Sequence, residues 1–158
     1  MSRPAGATRE LSWPGSILSE RGLGPALRAL ARRSAVPVDL DLTADARHPE
    51  PVEVAAYYVA SEALANAMKH AHASRVELSL TTVEGSLLLS VRDDGVGGAD
   101  PARGSGLAGL TDRVEALGGS IRLDSAAGAG THLTADLPLQ YEPGSLPAGR
   151  QAGPPAGR

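Results

Sequence analysis

Apolar and polar positions along this chain repeat with two different periods, and the changes of period divide it into short elements. Three stretches repeat apolar residues at helical spacing, which predicts helices over 24–33, 51–72 and 107–117. Five shorter stretches alternate apolar and polar residues, which predicts strands over 36–42, 75–81, 87–91, 120–124 and 131–137. Strands that follow one another through short turns favour an antiparallel or mixed sheet, and the inserted helices favour a second layer. We therefore predict an α+β fold, a two-layer α/β sandwich with a mixed, mostly antiparallel sheet.

The two ends of the chain differ from the middle in composition. Residues 141–158 are rich in Pro, Gly and Ala and hold almost nothing to bury, so we predict a disordered tail. Residues 1–34 read as an N-terminal segment that ends in a linker helix. The remaining part, 35–140, is the predicted domain.

Overall composition excludes several classes of protein. With 158 residues, the chain suits one domain, and its net charge of −3 argues against a broad nucleic-acid interface. It has no cysteine, which excludes disulfides and cysteine zinc sites. No apolar run approaches the roughly 20 residues that span a bilayer, and no secretory signal is visible. These features predict a cytoplasmic protein without a membrane segment.

Four polar residues share one side of the long predicted helix. Glu62, Asn66, Lys69 and His70 fall within a sector of roughly 100°, opposite an alanine-rich apolar side. A solvated face is the plain interpretation of this pattern. Asn is, however, a poor helix former unless its side chain is used, and its amide oxygen suits Mg²⁺. A lysine one turn away could then contact phosphate oxygens.

A pair of carboxylates ends the third predicted strand. Asp93 and Asp94 are followed by a turn through Gly95 and Gly97. A buried carboxylate can accept a hydrogen bond from an exocyclic amino group, and glycines let the backbone approach a flat base. A plain Asp-Gly turn is the alternative.

Two further glycine-rich segments flank the last helix. Gly104 and Gly106 precede Leu107 at its start, where free N–H groups and the helix dipole favour an anion. The preceding residues have few apolar anchors and could form a mobile lid, or only a flexible loop. A later turn through Gly128 and Gly130 leads to Thr131.

These four motifs, in this order, resemble the ATP-binding catalytic domain of bacterial sensor histidine kinases. That domain belongs to the superfamily of gyrase, Hsp90, histidine kinases and MutL, which has the Bergerat fold. Residues 106–119 resemble the subfamily that signals to regulators with a helix-turn-helix output domain. The resemblance covers roughly residues 36–139.

The resemblance implies ATP and Mg²⁺ as ligands and assigns a role to each motif. Asn66 would bind the metal and Glu62 would support it, as the catalytic pair. Asp93 would bind the adenine amino group, with Thr131 nearby. The other implied contacts are to phosphates or to the base pocket and comprise Lys69, His70, Gly95, Gly97, Gly104, Gly106 and Leu107.

The chain departs from a complete kinase in its histidines. None of the four (His48, His70, His72 and His132) has the sequence setting of a phospho-acceptor. We therefore predict a catalytic domain that does not autophosphorylate alone. Its partner would be the dimerisation and histidine-phosphotransfer domain of a histidine kinase and, indirectly, a response regulator. A standalone anti-sigma-factor-like serine kinase or regulatory ATP-binding protein is the alternative, and a gyrase- or MutL-like ATPase is a third.

Overall fold

A computed structural model describes residues 18, 20–44, 46–69, 72–98 and 105–140. The helices are α1 (Leu23–Arg33), α2 (Glu50–Lys69) and α3 (Ser105–Ala116). The strands are β1 (Val38–Leu42), β2 (Val76–Val83), β3 (Ser86–Asp93), β4 (Ser120–Asp124) and β5 (Thr131–Pro138). The helix predicted to run through His72 is wrong at its end, because His72 has a left-handed φ of 48°.

The five strands form one sheet in the order β1-β2-β3-β5-β4. β1 pairs with β2 in parallel, and the other three pairings are antiparallel, which confirms the predicted mixed sheet. The parallel pair needs a crossover, and α2 supplies it. Alternate strand residues such as Leu78, Leu89 and Leu133 are buried on one face, against which the helices pack. The α+β fold predicted from the sequence is confirmed.

α2 begins with an unusual capping arrangement. The Pro49 carbonyl accepts the N–H groups of Val52 and Glu53. Glutamates in a first helical turn often return to an N-cap N–H, but proline has none. The buried Glu53 carboxylate instead accepts the His48 N–H on Oε1 at 2.9 Å, and Arg47 Nε lies 3.4 Å from the same oxygen. This arrangement joins the β1–α2 loop to the helix.

α1 shares the core of the sheet and α2. Leu23, Ala26 and Leu27 are buried in the same apolar cluster as the inner faces of the strands. Across the part of the chain that the structure describes, no helix has the length and apolar character to cross a membrane.

Candidate functional site

The polar side of α2 lies at the edge of the core. Glu62 and Asn66 are half-buried and Lys69 is exposed, while Leu64 on the apolar side is buried. The predicted division of α2 into a polar side and a buried apolar side is therefore present. His70 lies outside the described residues.

The first turn of α3 meets this side of α2. A Cβ added to Gly106 would lie 2.3 Å from Glu62 Oε1 and 2.6 Å from its Cδ. The carboxylate thus occupies the space that a side chain at position 106 would need, which explains glycine there. Leu107 is 7% exposed and anchors α3 in the core, so only its main chain can face a ligand. Gly104 lies outside the described residues.

The two carboxylates after β3 have different surroundings. Asp93 is 8% exposed, and its Oδ1 accepts the Gly95 N–H at 2.9 Å. Asp94 is exposed and binds the loop between α2 and β2. Its Oδ1 accepts the N–H groups of Ser74 at 2.8 Å and Arg75 at 3.0 Å, and its Oδ2 accepts the Ser74 hydroxyl. The Ser74 hydroxyl, then the two N–H groups, lower the pKa of Asp94. Sequence reasoning missed this structural role.

The turn between β4 and β5 packs directly on the Asp93 segment. A Cβ at Gly130 would lie 2.2 Å from the Asp93 carbonyl oxygen, and one at Gly97 would lie 2.0 Å from the Ala126 carbonyl oxygen. Both glycines also have a left-handed φ, so both the close packing and the backbone conformation require glycine at these positions. This close approach brings Thr131, the register partner of Asp93, to the same end of the sheet.

Asp93 shares the buried face of β3, so the segments described above lie on the side of the sheet against which the helices pack. A buried carboxylate lies at the end of β3, and α2 presents the Glu62 carboxylate beside the N-terminus of α3, with Asn66 one turn further along the helix. No cluster of three or more His, Asp or Glu side chains among the described residues could hold a metal by itself. The hard oxygen atoms on α2 suit Mg²⁺ that also takes oxygens from a bound phosphate and water.

Sequence reasoning also missed a contact between α2 and α3. The Arg113 guanidinium carbon lies 5.0 Å from the centroid of the Tyr58 ring, over its face. Arg113 lies within residues 106–119, the segment that resembles a kinase subfamily, but the resemblance assigns no role to this arginine. Its partner lies one turn before Glu62 on α2, and only the packing of the two helices reveals the pair.

The opposite face of the sheet has a separate concavity of about 430 Å³. Asp39, Glu77, Arg92 and His132 line it and alternate with the inward strand residues. It lies across the sheet from the helices, so it is not part of the site described above.

Comparison with known proteins identifies the family. Residues 52–141 match the family described as histidine kinase-, DNA gyrase B-, and HSP90-like ATPase. The chain belongs to this family. This assignment confirms the resemblance found in the motifs and carries ATP binding with it.

Named relatives narrow the comparison to sensor kinases. The chain is 38% identical over 97 residues to the oxygen sensor histidine kinase NreB of Staphylococcus carnosus (strain TM300), covering 59% of this chain and 28% of that protein. It is 33% identical over 134 residues to the sensor histidine kinase NarS of Mycobacterium tuberculosis (strain ATCC 25618 / H37Rv), covering 79% of this chain and 31% of that protein. The chain thus spans less than a third of these relatives. They do not favour the anti-sigma-factor-like alternative.

A solved structure agrees with this assignment. The histidine kinase domain of the Erythrobacter litoralis EL346 blue-light activated histidine kinase superposes with a TM-score of 0.63 at 27% identity. The match covers 75% of this chain and 59% of that one. The chain is therefore an ATP-binding domain of the histidine kinase type.

Proposed function

We propose that this chain binds Mg-ATP and positions its γ-phosphoryl group for transfer to a histidine on a separate domain. The observation that carries the proposal is that α2 contacts β3, β5 and α3, the three elements that carry the other motif residues. The Asp93 turn packs on Gly130, and the Glu62 carboxylate packs on Gly106 at the start of α3. Because the chain belongs to this ATPase family, we infer that these segments form its nucleotide cleft.

Asp93 is the proposed adenine contact. Its burial and its bond to Gly95 hold the carboxylate in one orientation, where an oxygen can accept the exocyclic amino group of adenine. Gly95 and Gly97 are proposed to shape the base pocket through the turn that follows Asp93, and Thr131 is proposed to border the base. Asp94 is committed to Ser74 and Arg75 and takes no part in this contact.

The other end of the cleft is the proposed phosphate and metal site. Asn66 and Glu62 would hold Mg²⁺, and Lys69 would contact phosphate oxygens. Mg²⁺ would neutralise phosphate charge during transfer. Gly106 and Leu107 are in the first turn of α3, where the free main-chain N–H groups favour an anion. His70 and Gly104 are proposed to complete this end.

The phosphoryl acceptor is proposed to be a histidine of a dimerisation and phosphotransfer domain, which then supplies a response regulator. None of the histidines in this chain has the acceptor's sequence setting. Transfer requires the nucleophile in line with the γ-phosphorus, so it depends on how the two domains meet. Use of ATP is consistent with the predicted cytoplasmic location.

Titration calorimetry with ATP and Mg²⁺ tests the binding proposal. We expect one nucleotide bound per chain, with adenosine binding more weakly because it lacks the phosphates. Folded protein that gives neither heat nor a thermal shift at millimolar nucleotide would refute it.

Labelling with γ-³²P-ATP tests the transfer proposal. The chain alone should remain unlabelled, and a separately supplied helical hairpin with an acceptor histidine should become labelled in its presence. The signal will be weak, because separate molecules lack the effective concentration of a covalent link. Acid-labile phosphate on the isolated chain would contradict the proposal.

A further inference from the structure

One side chain of α3 contacts α2 at a position one turn before Glu62. Arg113 lies two turns after Gly106, and its guanidinium carbon is 5.0 Å from the centre of the Tyr58 ring. A guanidinium over the face of a tyrosine is attracted by the negative potential of that face. Both residues are partly accessible, so the contact joins the surfaces of two helices and not their buried cores.

The Tyr58 ring is itself held by the core. The buried Tyr57 ring lies 6.1 Å away, at an interplanar angle of 76°. Such an edge-to-face arrangement is favourable for aromatic pairs. It restrains the orientation of Tyr58 and therefore the place where the Arg113 guanidinium can lie.

This contact and the one in the cleft lie on matching sides of both helices. Tyr58 and Glu62 are four residues apart on α2, and Gly106 and Arg113 are seven residues apart on α3. Both spacings return to the same side of a helix. The Glu62–Gly106 contact fixes one end of the α2–α3 interface, and the Tyr58–Arg113 contact fixes the other.

We propose that Arg113 and Tyr58 are positioning residues, which hold α3 so that its N-terminus faces the phosphates of bound ATP. The inference rests on the proposed function, because the ligand at that N-terminus is the one proposed above. Neither side chain needs to touch the nucleotide. The base end of the cleft, at Asp93, is built from β3 and β5 and does not depend on α3.

Nucleotide affinities of paired variants test the proposal. Arg113→Ala should weaken ATP binding about threefold to fivefold and leave adenosine binding unchanged. Tyr58→Leu should have the same effect although it removes no charge. Arg113→Lys and Tyr58→Phe keep a cation and a ring face and should retain most of the affinity. Arg122→Ala, an exposed arginine on β4, is the control for loss of one positive charge.

Hydrogen exchange without nucleotide separates this inference from the proposed function. Amides at 109–112 bond to the first turn of α3 and should exchange faster in Arg113→Ala and Tyr58→Leu than in wild type or Arg122→Ala. Unchanged exchange in both variants would overturn the positioning role, whether or not wild type binds ATP. Equal losses of ATP and adenosine affinity would also overturn it. Failure of wild type to bind ATP, with faster exchange in the variants, would refute only the nucleotide proposal.

Discussion

At the residue scale, neighbouring carboxylates perform different tasks because their surroundings differ. Asp93 is buried at the end of β3, whereas Asp94 is exposed and bound to the loop before β2. Asp93→Asn should lower ATP affinity at least tenfold, because a charge-assisted hydrogen bond contributes about 1.5–3 kcal/mol. Asp94→Asn should bind nearly as wild type. Calorimetry that finds the opposite order would assign the base contact to Asp94.

The Asp94 carboxylate also predicts a pH dependence of stability. Its folded-state pKa is lowered from the ordinary 3.8, first by the Ser74 hydroxyl and then by the N–H groups of Arg75 and Ser74. Because the pKa is lower in the folded state, the carboxylate stabilises the fold at pH values above its ordinary pKa. This stabilisation disappears as the pH falls through the pKa of the folded state. Asp94→Asn should therefore melt below wild type at neutral pH, and the two melting temperatures should converge under more acidic conditions, below pH 3.8. Asp41→Asn, at an exposed position of β1, should show no such convergence.

A substitution at Asn66 tests the proposed metal site separately from the proposed base pocket. Asn66→Ala removes a proposed Mg²⁺ ligand and leaves the Asp93 end of the cleft intact. Adenosine affinity should persist, while the enhancement of ATP binding by Mg²⁺ should disappear. Titrations with and without Mg²⁺ measure both. If the enhancement stays at the wild-type level, Asn66 belongs to a solvated helix face.

At the element scale, two glycines of α3 form a matched pair. Gly109 is exposed with open space at its Cβ position, whereas Gly106 faces the Glu62 carboxylate. Gly109→Ala should raise the free energy of unfolding by about 0.5–1 kcal/mol through helix propensity. Gly106→Ala should gain less, because the carboxylate must move.

A Glu62→Ala background isolates that contact. The difference between the two glycine changes should shrink there by about 0.5 kcal/mol or more, as residues in contact are not additive. Chemical denaturation of Gly106→Ala, Gly109→Ala and the unsubstituted chain, each with and without Glu62→Ala, measures the coupling in six proteins. Equal gains at both glycines in the wild-type background would mean that the carboxylate is not held against α3.

Periodicity in the sequence predicted these elements well, because each has one buried side. In β2, β3 and β5 the buried residues recur at every second position, and the apolar side of α2 is recognisable from residues such as Ala60 and Leu64. Contacts between elements were not predictable in this way. The parallel pairing of β1 depends on the crossover, and the Tyr58–Arg113 contact depends on how α2 and α3 pack. Site residues were predicted through motif resemblance, which supplied the spatial proximity that spacing alone lacks.

At the scale of the whole molecule, α1 contributes to the core. Leu27 is fully buried against the remaining elements. Leu27→Ala should lower the free energy of unfolding by about 2–5 kcal/mol, in the range of large-to-small core substitutions. Arg32→Ala, at an exposed position of α1, is the control and should cost little. A negligible effect of Leu27→Ala in denaturant unfolding would make α1 an appended linker.

The Arg113 guanidinium above Tyr58 has a spectroscopic consequence. Protons over the face of an aromatic ring are shielded by its ring current, so the side-chain resonances of Arg113 should move upfield from their usual positions. Because the shielding falls steeply with distance, small displacements of α3 against α2 would change these shifts. The chemical shifts of the Arg113 side-chain protons thus report the position of α3 relative to α2 when nucleotide is added, without any attached label.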